Sequence, residues 1–378
     1  MPGALDGVLV ADFSRVLAGP YATMLLADMG ARVIKVERPG SGDDTRSWGP
    51  PWASDGQSTY FHSVNRNKQS LALDLSAPAD LAIATNLASR ADILIENFKP
   101  GTMERYGLAY PQLQATNPRL IWCSITGFGS AAGRDLPGYD LLVQAMGGLM
   151  SITGTDEPTK AGVALVDVLT GLQACVAILA ALHHRDRTGQ GQAIEVTLLG
   201  SLLSALVNQA SAYVQAEVVG KRMGNAHPSI VPYEVYQAAD RPIVIAVGND
   251  QQFAHMAQVV GHPEWATDDR FATNPQRVAN RQTLNALINS ALQTQQAEHW
   301  QREFNTAGVP AGPVNDIAQA FALATSLGLD PMRPLTSPSQ ATSTVANPAA
   351  LSLTPVRYQD QAPNLDAHGD ALRREFST

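Results

Sequence analysis

Residues 7–39, GVLVADFSRVLAGPYATMLLADMGARVIKVERP, form the segment that decides the fold. Residues 7–13 and 31–39 are short, apolar and rich in β-branched side chains, so both are predicted strands. Residues 19–30, between them, have the length and apolar spacing of a helix. A strand, a helix and a second strand make a βαβ unit, which joins two parallel strands by a right-handed crossover. The segment therefore predicts an α/β fold.

The same alternation continues along the first half of the chain. Further predicted strands and helices are SLALDL at 70–75, PADLAIATNLASRA at 78–91, DILIENF at 92–98 and RLIWCSITGFG at 119–129. Repeated alternation predicts a Rossmann-like α/β domain with a mostly parallel sheet. Ligands of such domains lie beyond the carboxyl ends of the strands.

The composition of the chain changes twice and predicts its domains. Glycine, proline and polar residues replace the apolar pattern around 219–233, and proline, serine and threonine dominate from about 333. We therefore expect a large domain at 1–205, a linker at 206–228, a smaller α/β domain at 229–325 and a C-terminal segment at 326–378.

Composition and charge exclude several classes of protein. The 378 residues are 45% hydrophobic and 16% charged, and the formal net charge is −8. Lysines and arginines are scattered, which argues against a surface for nucleic acid or for anionic membranes. No signal-peptide pattern is present, and the longest apolar run, ACVAILAAL at 174–182, is shorter than the ~20 residues that cross a bilayer. Two isolated cysteines, Cys123 and Cys175, fit a reducing compartment, so a cytoplasmic location is expected.

Most short catalytic motifs are missing from the sequence. GFGSAAG at 127–133 has dinucleotide-loop spacing, but RDLPGYD follows it where an apolar helix should begin. No HExxH, GxSxG or Walker motif is present, and the adjacent His183 and His184 point to different helix faces, so no metal is predicted. Arg38, directly after the second strand, suits a phosphate on a ribose, but a solvated arginine explains it equally well.

Asp167 is the one charged residue in AGVALVDVLTGLQACVAILAALHH at 161–184, the most continuously apolar passage of the chain. An aspartate directly before an apolar helix, here expected at about 168–186, is commonly an N-cap. A helix N-terminus also stabilises the ionised carboxylate, and a poorly solvated carboxylate is a good nucleophile. From these residues alone, a structural and a catalytic role both remain open.

Several sequence blocks in the same order resemble the class III CoA-transferases, the family of formyl-CoA transferase and carnitine CoA-transferase. The blocks are residues 5–51, 60–75, 91–108, 124–129, 138–154 and 163–182. RSWGPP at 46–51 and NAHPSIVPYEVYQ at 225–237 are most similar to the branch that acts on dicarboxylates, the succinyl-CoA:glutarate type. The resemblance extends over nearly the whole chain.

The resemblance implies a role for Asp167, which matches the catalytic aspartate of the family. In that mechanism the carboxylate attacks a thioester to give an aspartyl anhydride, and CoA then forms an aspartyl-CoA thioester. The acceptor acid repeats these steps in reverse. Both intermediates hydrolyse, so water must be excluded, and backbone N–H groups should stabilise the oxyanions. The resemblance also implies an interlocked homodimer and a C-terminal segment that returns to the large domain.

CoA, a substrate in this reaction, has an implied binding site. The matching positions are Arg15, Leu17, Ala18, Arg38, Leu73, Asp74, Leu75, Ser76, Asn97, Phe98, Lys99, Arg105, Pro137, Gly138, Tyr139 and Asp140. Arginine and lysine suit the phosphates of CoA. Arg15 stands where formyl-CoA transferase has a histidine, and GNDQQF at 248–253 replaces the mobile glycine-rich loop of that enzyme, so its acyl gating does not carry over.

Two residues are candidates for contact with the acceptor acid. Arg46 could pair with a distal carboxylate, although an ordinary loop arginine fits the sequence too, and His227 lies in the Gly/Pro-rich crossing. Succinyl-CoA is the candidate donor. The alternatives are a racemase of the α-methylacyl-CoA type, disfavoured because Tyr139 replaces its histidine base, and a CoA-binding protein without catalysis.

Overall fold

The computed structural model describes residues 2–336 and 342–377. The strands are β1 (Leu9–Asp12), β2 (Arg32–Glu37), β3 (Lys68–Ala72), β4 (Ile93–Glu96), β5 (Ile121–Thr126), β6 (Ala193–Thr197), β7 (Tyr233–Gln237), β8 (Pro242–Ala246), β9 (Ala311–Pro313), β10 (Met332–Pro334) and β11 (Ser343–Val345). The first eight helices are α1 (Ala18–Asp28), α2 (Thr59–His62), α3 (Pro78–Arg90), α4 (Thr102–Arg105), α5 (Tyr110–Leu113), α6 (Asp140–Met146), α7 (Leu149–Ile152) and α8 (Leu165–Thr188). The others are α9 (Leu198–Ala205), α10 (Val207–Ala216), α11 (Asp250–Val259), α12 (Asn274–Ala279), α13 (Arg281–Leu292), α14 (Ala297–Thr306), α15 (Ile317–Ser326) and α16 (Gly369–Phe376).

Six parallel strands form the main sheet, in the order β3-β2-β1-β4-β5-β6. Val10 pairs with Val33 on one side and with Ile93 on the other. The strand order therefore reverses between β1 and β4, and the loops that follow these two strands diverge there to leave a crevice. The predicted α/β fold with a parallel sheet is confirmed.

Apolar cores cover both faces of this sheet, as buried parallel strands require. Val10 belongs to a core shared with α1 and α8, which includes Leu26 and Ile178. Ala11, the next residue, points to the opposite face and packs in a core with α3 and α16. The first of these cores places α8 against α1.

The α8 helix is long and apolar enough, by length and composition alone, to cross a membrane. The sequence predicts no such segment, because the unbroken apolar run is shorter than the helix. Ala174, Cys175 and Ile178 of α8 are buried against the sheet and α1. A core helix has this same composition, so α8 is weak evidence for a membrane span.

The chain divides into two compact units. One comprises Met1–Leu149, Lys160–Gly220 and Asp330–Thr378, and the other comprises Met150–Thr159 and Lys221–Leu329. The second unit contains an antiparallel sheet in the order β7-β8-β9, with a core around Phe253 and Trp300. The helix α10 lies within the predicted linker at 206–228 and belongs to the first unit.

Candidate active site

Asp167 lies in the first turn of α8 and lines an open cavity of about 220 Å³. Leu17, Ala18 and Tyr139 line the same cavity. Among the described residues, no side chain or backbone group donates a hydrogen bond to the Asp167 carboxylate. Burial raises the pKa of Asp167 to about 7, and the negative charge of Asp140 adds to the effect. The carboxylate is therefore an accessible but poorly stabilised anion.

The prediction that Asp167 is an N-cap is wrong. Ala164 is the N-cap of α8, and Asp167 is the third residue of the helix. Asp140 supplies the cap from the first turn of α6, since its Oδ1 accepts the Val166 N–H at 2.8 Å. The Gln144 amide holds the other oxygen of Asp140 at 2.7 Å. Because Asp140 satisfies the helix end, the Asp167 side chain is left for other contacts.

The expected ionisation of Asp167 also needs correction. The sequence argument holds that the helix N-terminus keeps this carboxylate ionised. In the structure, loss of hydration and the nearby Asp140 outweigh the helix and raise the pKa to about 7. A carboxylate with this pKa is about half ionised at neutral pH and more nucleophilic than an ordinary aspartate.

The turn after β1 forms the opposite wall of the cavity. Arg15 is fixed through its backbone, because the Asn97 side chain accepts its N–H at 2.9 Å and donates to its carbonyl at 2.8 Å. Leu17 and Ala18 follow, and Ala18 begins α1. Their backbone N–H groups donate no hydrogen bond to any described residue, as is usual for the first residues of a helix. The cavity is thus lined by an unpaired carboxylate and by two residues whose N–H groups have no partner among the described residues.

The two helices that carry these groups approach each other at Gly171. This glycine lies one turn after Asp167 on α8, and a Cβ added to it would be 2.6 Å from the Ala18 carbonyl oxygen. Glycine is therefore required for the close approach of α1 and α8. That approach sets the spacing between Asp167 and the turn at Leu17 and Ala18.

A second cavity, of about 250 Å³, lies beside the first. Arg15 and Phe98 line both cavities, and the Arg15 guanidinium lies over the Phe98 ring at 5.4 Å. The Arg15 Nε atom is buried without a hydrogen-bond partner. Arg38 also lines the second cavity, and its guanidinium makes no ion pair among the described residues. Arg15 is paired with Asp44 at 3.3 Å, so Arg38 is the arginine of this cavity with donors available for an anion.

Most positions implied for CoA binding line one of the two cavities. These are Arg15, Leu17, Ala18, Arg38, Leu73, Asp74, Leu75, Asn97, Phe98, Lys99, Pro137, Gly138 and Tyr139. Ser76, Arg105 and Asp140 do not line either cavity. Ser76 bonds to Asp74, and Arg105 is exposed with its guanidinium 6.0 Å from the Tyr106 ring. Asp140 caps α8.

Arg46, a candidate for contact with the acceptor acid, is held by other residues of the chain. Its guanidinium forms a two-pronged ion pair with Glu37, at 2.7 Å to each oxygen. It also donates to the Pro363 carbonyl and to Gln57, and it covers the Phe61 ring at 3.8 Å. Four of its five N–H donors thus have partners within the chain, and contact of Arg46 with an acceptor acid stays a prediction.

His227 belongs to the second unit, where Ser229 N–H donates to its Nδ1 atom at 3.1 Å. Its ring packs edge-on against Tyr233. The His227 side chain therefore has contacts within its own unit. Contact of His227 with a substrate stays a prediction.

Two residues near the cavities were missed by the sequence analysis. Burial raises the pKa of Tyr60 to about 12, and the charge of Asp167 adds to this, so the phenol lies within the electrostatic reach of that carboxylate. Glu96 ends β4 and accepts the Phe98 N–H at 2.8 Å, and burial raises its pKa to about 7. A charged residue ending an apolar strand, as in DILIENF, was the available signal for Glu96.

The family model described as CoA-transferase family III matches residues 5–369. The chain belongs to CoA-transferase family III. It is 42% identical to a protein of Agrobacterium fabrum named succinate--glutarate CoA-transferase, over 99% of this chain and 96% of that protein. It is 41% identical to acetyl-CoA:oxalate CoA-transferase of Acetobacter aceti, with the same coverage of both chains. A crystal structure of a CAIB/BAIF family protein from Brucella suis superposes with a TM-score of 0.88, at 41% identity over all of both chains.

Membership of the family identifies the chain as an enzyme of the CoA-transferase class, acting on CoA thioesters and carboxylic acids. The two cavities at the carboxyl end of the sheet are therefore the candidate sites for these substrates. In this CoA-transferase, the cavity that holds Asp167 is the candidate for the reacting groups.

Proposed function

We propose that this CoA-transferase moves CoA from succinyl-CoA to a dicarboxylic acid through covalent intermediates on Asp167. The carrying observation is that Asp167 lines a cavity, accepts no hydrogen bond among the described residues and has its pKa raised to about 7 by burial. The names of the relatives, which refer to succinate, glutarate and oxalate, support the choice of acids.

The first half of the reaction transfers CoA to the enzyme. An Asp167 oxygen bonds to the thioester carbonyl carbon, the C–S bond breaks and CoA leaves as the thiolate. The thiolate then attacks the Asp167 carbonyl, and the bond between the anhydride oxygen and this carbon breaks to release succinate. Asp167 is left as a CoA thioester. No net proton is transferred, which suits a site with no obvious general base.

The second half repeats these steps with the acceptor. Its carboxylate attacks the Asp167 carbonyl and expels the CoA thiolate, and the thiolate then attacks the acceptor's carbonyl carbon. The new acyl-CoA forms and Asp167 is regenerated with one oxygen from the acceptor. Each step passes through a tetrahedral oxyanion, for which the Leu17 and Ala18 N–H groups are the proposed donors.

In this proposal, different parts of the CoA molecule bind in the two cavities. Arg38 and Lys99 are the proposed partners for phosphates, since both are exposed cations that line a cavity. The apolar Leu73, Leu75 and Phe98 offer surface for the adenine. The cytoplasmic location of this chemistry stays a prediction.

The direct test of the proposed reaction is product analysis. The purified enzyme is incubated with succinyl-CoA and, separately, with glutarate, oxalate, mesaconate and the monocarboxylate propionate. Chromatography should show new acyl-CoA from at least one dicarboxylate and much less from propionate. Failure of every pair of donor and acceptor to form a new thioester would refute the transfer reaction.

An isotope experiment tests the covalent route through Asp167. In a single turnover with an acceptor labelled with oxygen-18, the peptide that contains Asp167 should gain one labelled oxygen. Direct attack of the acceptor on succinyl-CoA leaves that peptide unlabelled. Mass spectrometry of the digested protein separates the two routes, and an unlabelled peptide after verified turnover contradicts the aspartyl intermediate.

The pH dependence of transfer gives an independent prediction. Asp167 must be ionised to attack, so kcat/KM should fall about tenfold per pH unit below an inflection near the pKa of about 7. Asp140→Asn removes the neighbouring negative charge, and the inflection should move to lower pH. Glu96 also has a pKa of about 7, so Glu96→Gln is the control and should leave the inflection in place. A flat profile between about pH 5 and 8 contradicts the assignment.

We also propose that the enzyme is a homodimer, as the family resemblance implies. Apolar side chains are exposed on α8 and α10, among them Val176 at 63%, Val207 at 69% and Val214 at 78%. Exposed apolar surface of this kind marks an association face. Light scattering at micromolar concentration should give twice the mass of the chain, and a monomer would contradict the proposal. Interlocking of the two chains stays a prediction from the resemblance.

A further inference from the structure

A buried pair of opposite charges lies beneath the turn that follows β1. Lys35 of β2 and Asp43, in the loop after β2, approach within 2.8 Å, and both side chains are fully buried. Burial disfavours both charges, but the combined effect of Asp43, Asp12 and Glu37 outweighs it for Lys35, so the pKa of Lys35 is raised. For Asp43, the Lys35 ammonium and the hydrogen bonds from Thr45 together outweigh burial, so the pKa of Asp43 is lowered. Both residues are therefore charged at neutral pH.

This pair bonds to the backbone on each side of Arg15. The Lys35 ammonium donates to the Ser14 carbonyl at 3.0 Å. The Val16 N–H donates to the Asp43 carboxylate, at 3.2 Å from each oxygen. The Lys35–Asp43 ion pair thus holds both Ser14, the residue before Arg15, and Val16, the residue after it.

The residue held by Asp43 has an unfavourable backbone conformation. Val16 has a φ of 68°, in the left-handed region that a β-branched residue rarely adopts. Such a conformation persists only where surrounding contacts impose it. A residue with a φ below zero at this position would send the chain in a different direction. Leu17 and Ala18, which follow directly, would then leave their places in the cavity that Asp167 lines.

We propose that the Lys35–Asp43 pair is a positioning device for catalysis: it imposes the conformation of Val16 and so aims the Leu17 and Ala18 N–H groups into the Asp167 cavity. This inference rests on the proposed function of those N–H groups. The competing explanation is that the pair only stabilises the fold. Buried ion pairs can often be replaced by neutral residues without loss of the fold, so the two explanations are separable.

The test removes both charges together with Lys35→Met and Asp43→Ala. Alanine removes both oxygens that accept the Val16 N–H, whereas asparagine would keep one of them. No buried charge is left unpaired, because Asp12 keeps Lys68 and Glu37 keeps Arg46. We expect kcat for transfer to fall about 10- to 100-fold at a temperature where the protein remains folded, with a smaller change in KM for succinyl-CoA. A double variant with wild-type kcat overturns the proposal.

Val16→Gly distinguishes a positioning role of the ion pair from a purely structural one. Glycine adopts a φ of 68° without strain, so adding this change to the double variant should restore kcat at least severalfold. Val16→Gly alone is the matched control and should not increase kcat. If the double variant melts below the assay temperature and Val16→Gly restores nothing, the pair is structural and the proposal fails.

Amide hydrogen exchange tests the positioning of Val16 independently of the proposed CoA transfer. The Val16 amide should exchange slowly in the wild type and at least tenfold faster in the double variant, whether or not CoA transfer is observed. Equal exchange in the two proteins overturns the positioning role. A wild type that transfers no CoA but shows the predicted exchange difference refutes only the proposed reaction.

Discussion

Asp167→Asn is expected to abolish CoA transfer and, above pH 7, to make the protein more stable than the wild type. Loss of a nucleophile typically lowers kcat by 10⁴-fold or more, since the remaining groups only bind and orient the substrate. Asparagine has nearly the same shape as aspartate. The Asp167 carboxylate accepts no hydrogen bond among the described residues, so the substitution removes no contact that supports the fold.

The stability effect follows from the sign of the pKa shift. The pKa of Asp167 is about 7 in the folded protein and about 3.8 in an unfolded chain. Between these values the folded state binds the extra proton, so the wild type loses stability as the pH rises from about 4 to 7. A shift of this size corresponds to a loss on the order of 4 kcal/mol at pH 8 and above. The asparagine variant has no charge to bury and avoids that loss.

Thermal unfolding at pH 5 and pH 9, together with transfer assays, checks both parts of this prediction. The variant's advantage in Tm should be largest at pH 9 and less than half as large at pH 5. Glu96→Gln is the matched control, because Glu96 is a buried carboxyl with the same raised pKa. It should share the gain in Tm but lose far less activity. An Asp167→Asn variant that is less stable than the wild type at pH 9 contradicts the described environment of this carboxylate.

The sheet could be predicted from the sequence because its signals are local. The segment at 7–39 contains β1, α1 and β2, with an apolar strand composition on each side of a helical spacing. The order β3-β2-β1-β4-β5-β6 was not predictable in the same way, because pairing depends on contacts between distant segments. The predicted linker begins at 206, whereas the first unit continues through α10 to Gly220, close to the change in composition at about 219.

Within the candidate site, the sequence predicted a residue whose own surroundings stand out, but it did not predict contacts between residues that are apart in the chain. Asp167 was found because a single charge in an apolar segment is conspicuous. Its predicted capping role failed because Asp140, 27 positions earlier in the chain, caps the helix instead. The ion pair of Arg46 was not predicted because its partner, Glu37, lies across a turn that brings the two side chains within 2.7 Å. Lys35 and Asp43 were overlooked for the same reason.

Gly171→Ala is expected to reduce both activity and stability, although general helix energetics predicts the opposite for stability. Replacing a glycine inside a helix by alanine normally stabilises a protein by about 1 kcal/mol. Here the new Cβ would lie 2.6 Å from the Ala18 carbonyl oxygen and 3.1 Å from the Tyr21 ring, so α1 and α8 must move apart. Overpacking of this kind typically costs about 1–3 kcal/mol.

The same displacement separates Asp167 from the turn at Leu17 and Ala18, and a shift of about 1 Å can lower the rate about 10²-fold. Gly162→Ala is the matched control, because its Cβ would meet no atom within 4 Å and Gly162 precedes the same helix. We expect kcat/KM and Tm to fall for Gly171→Ala and to stay at wild-type values for Gly162→Ala. A Gly171→Ala variant that is more stable than the wild type and fully active would show that the spacing of α1 and α8 does not position the reacting groups.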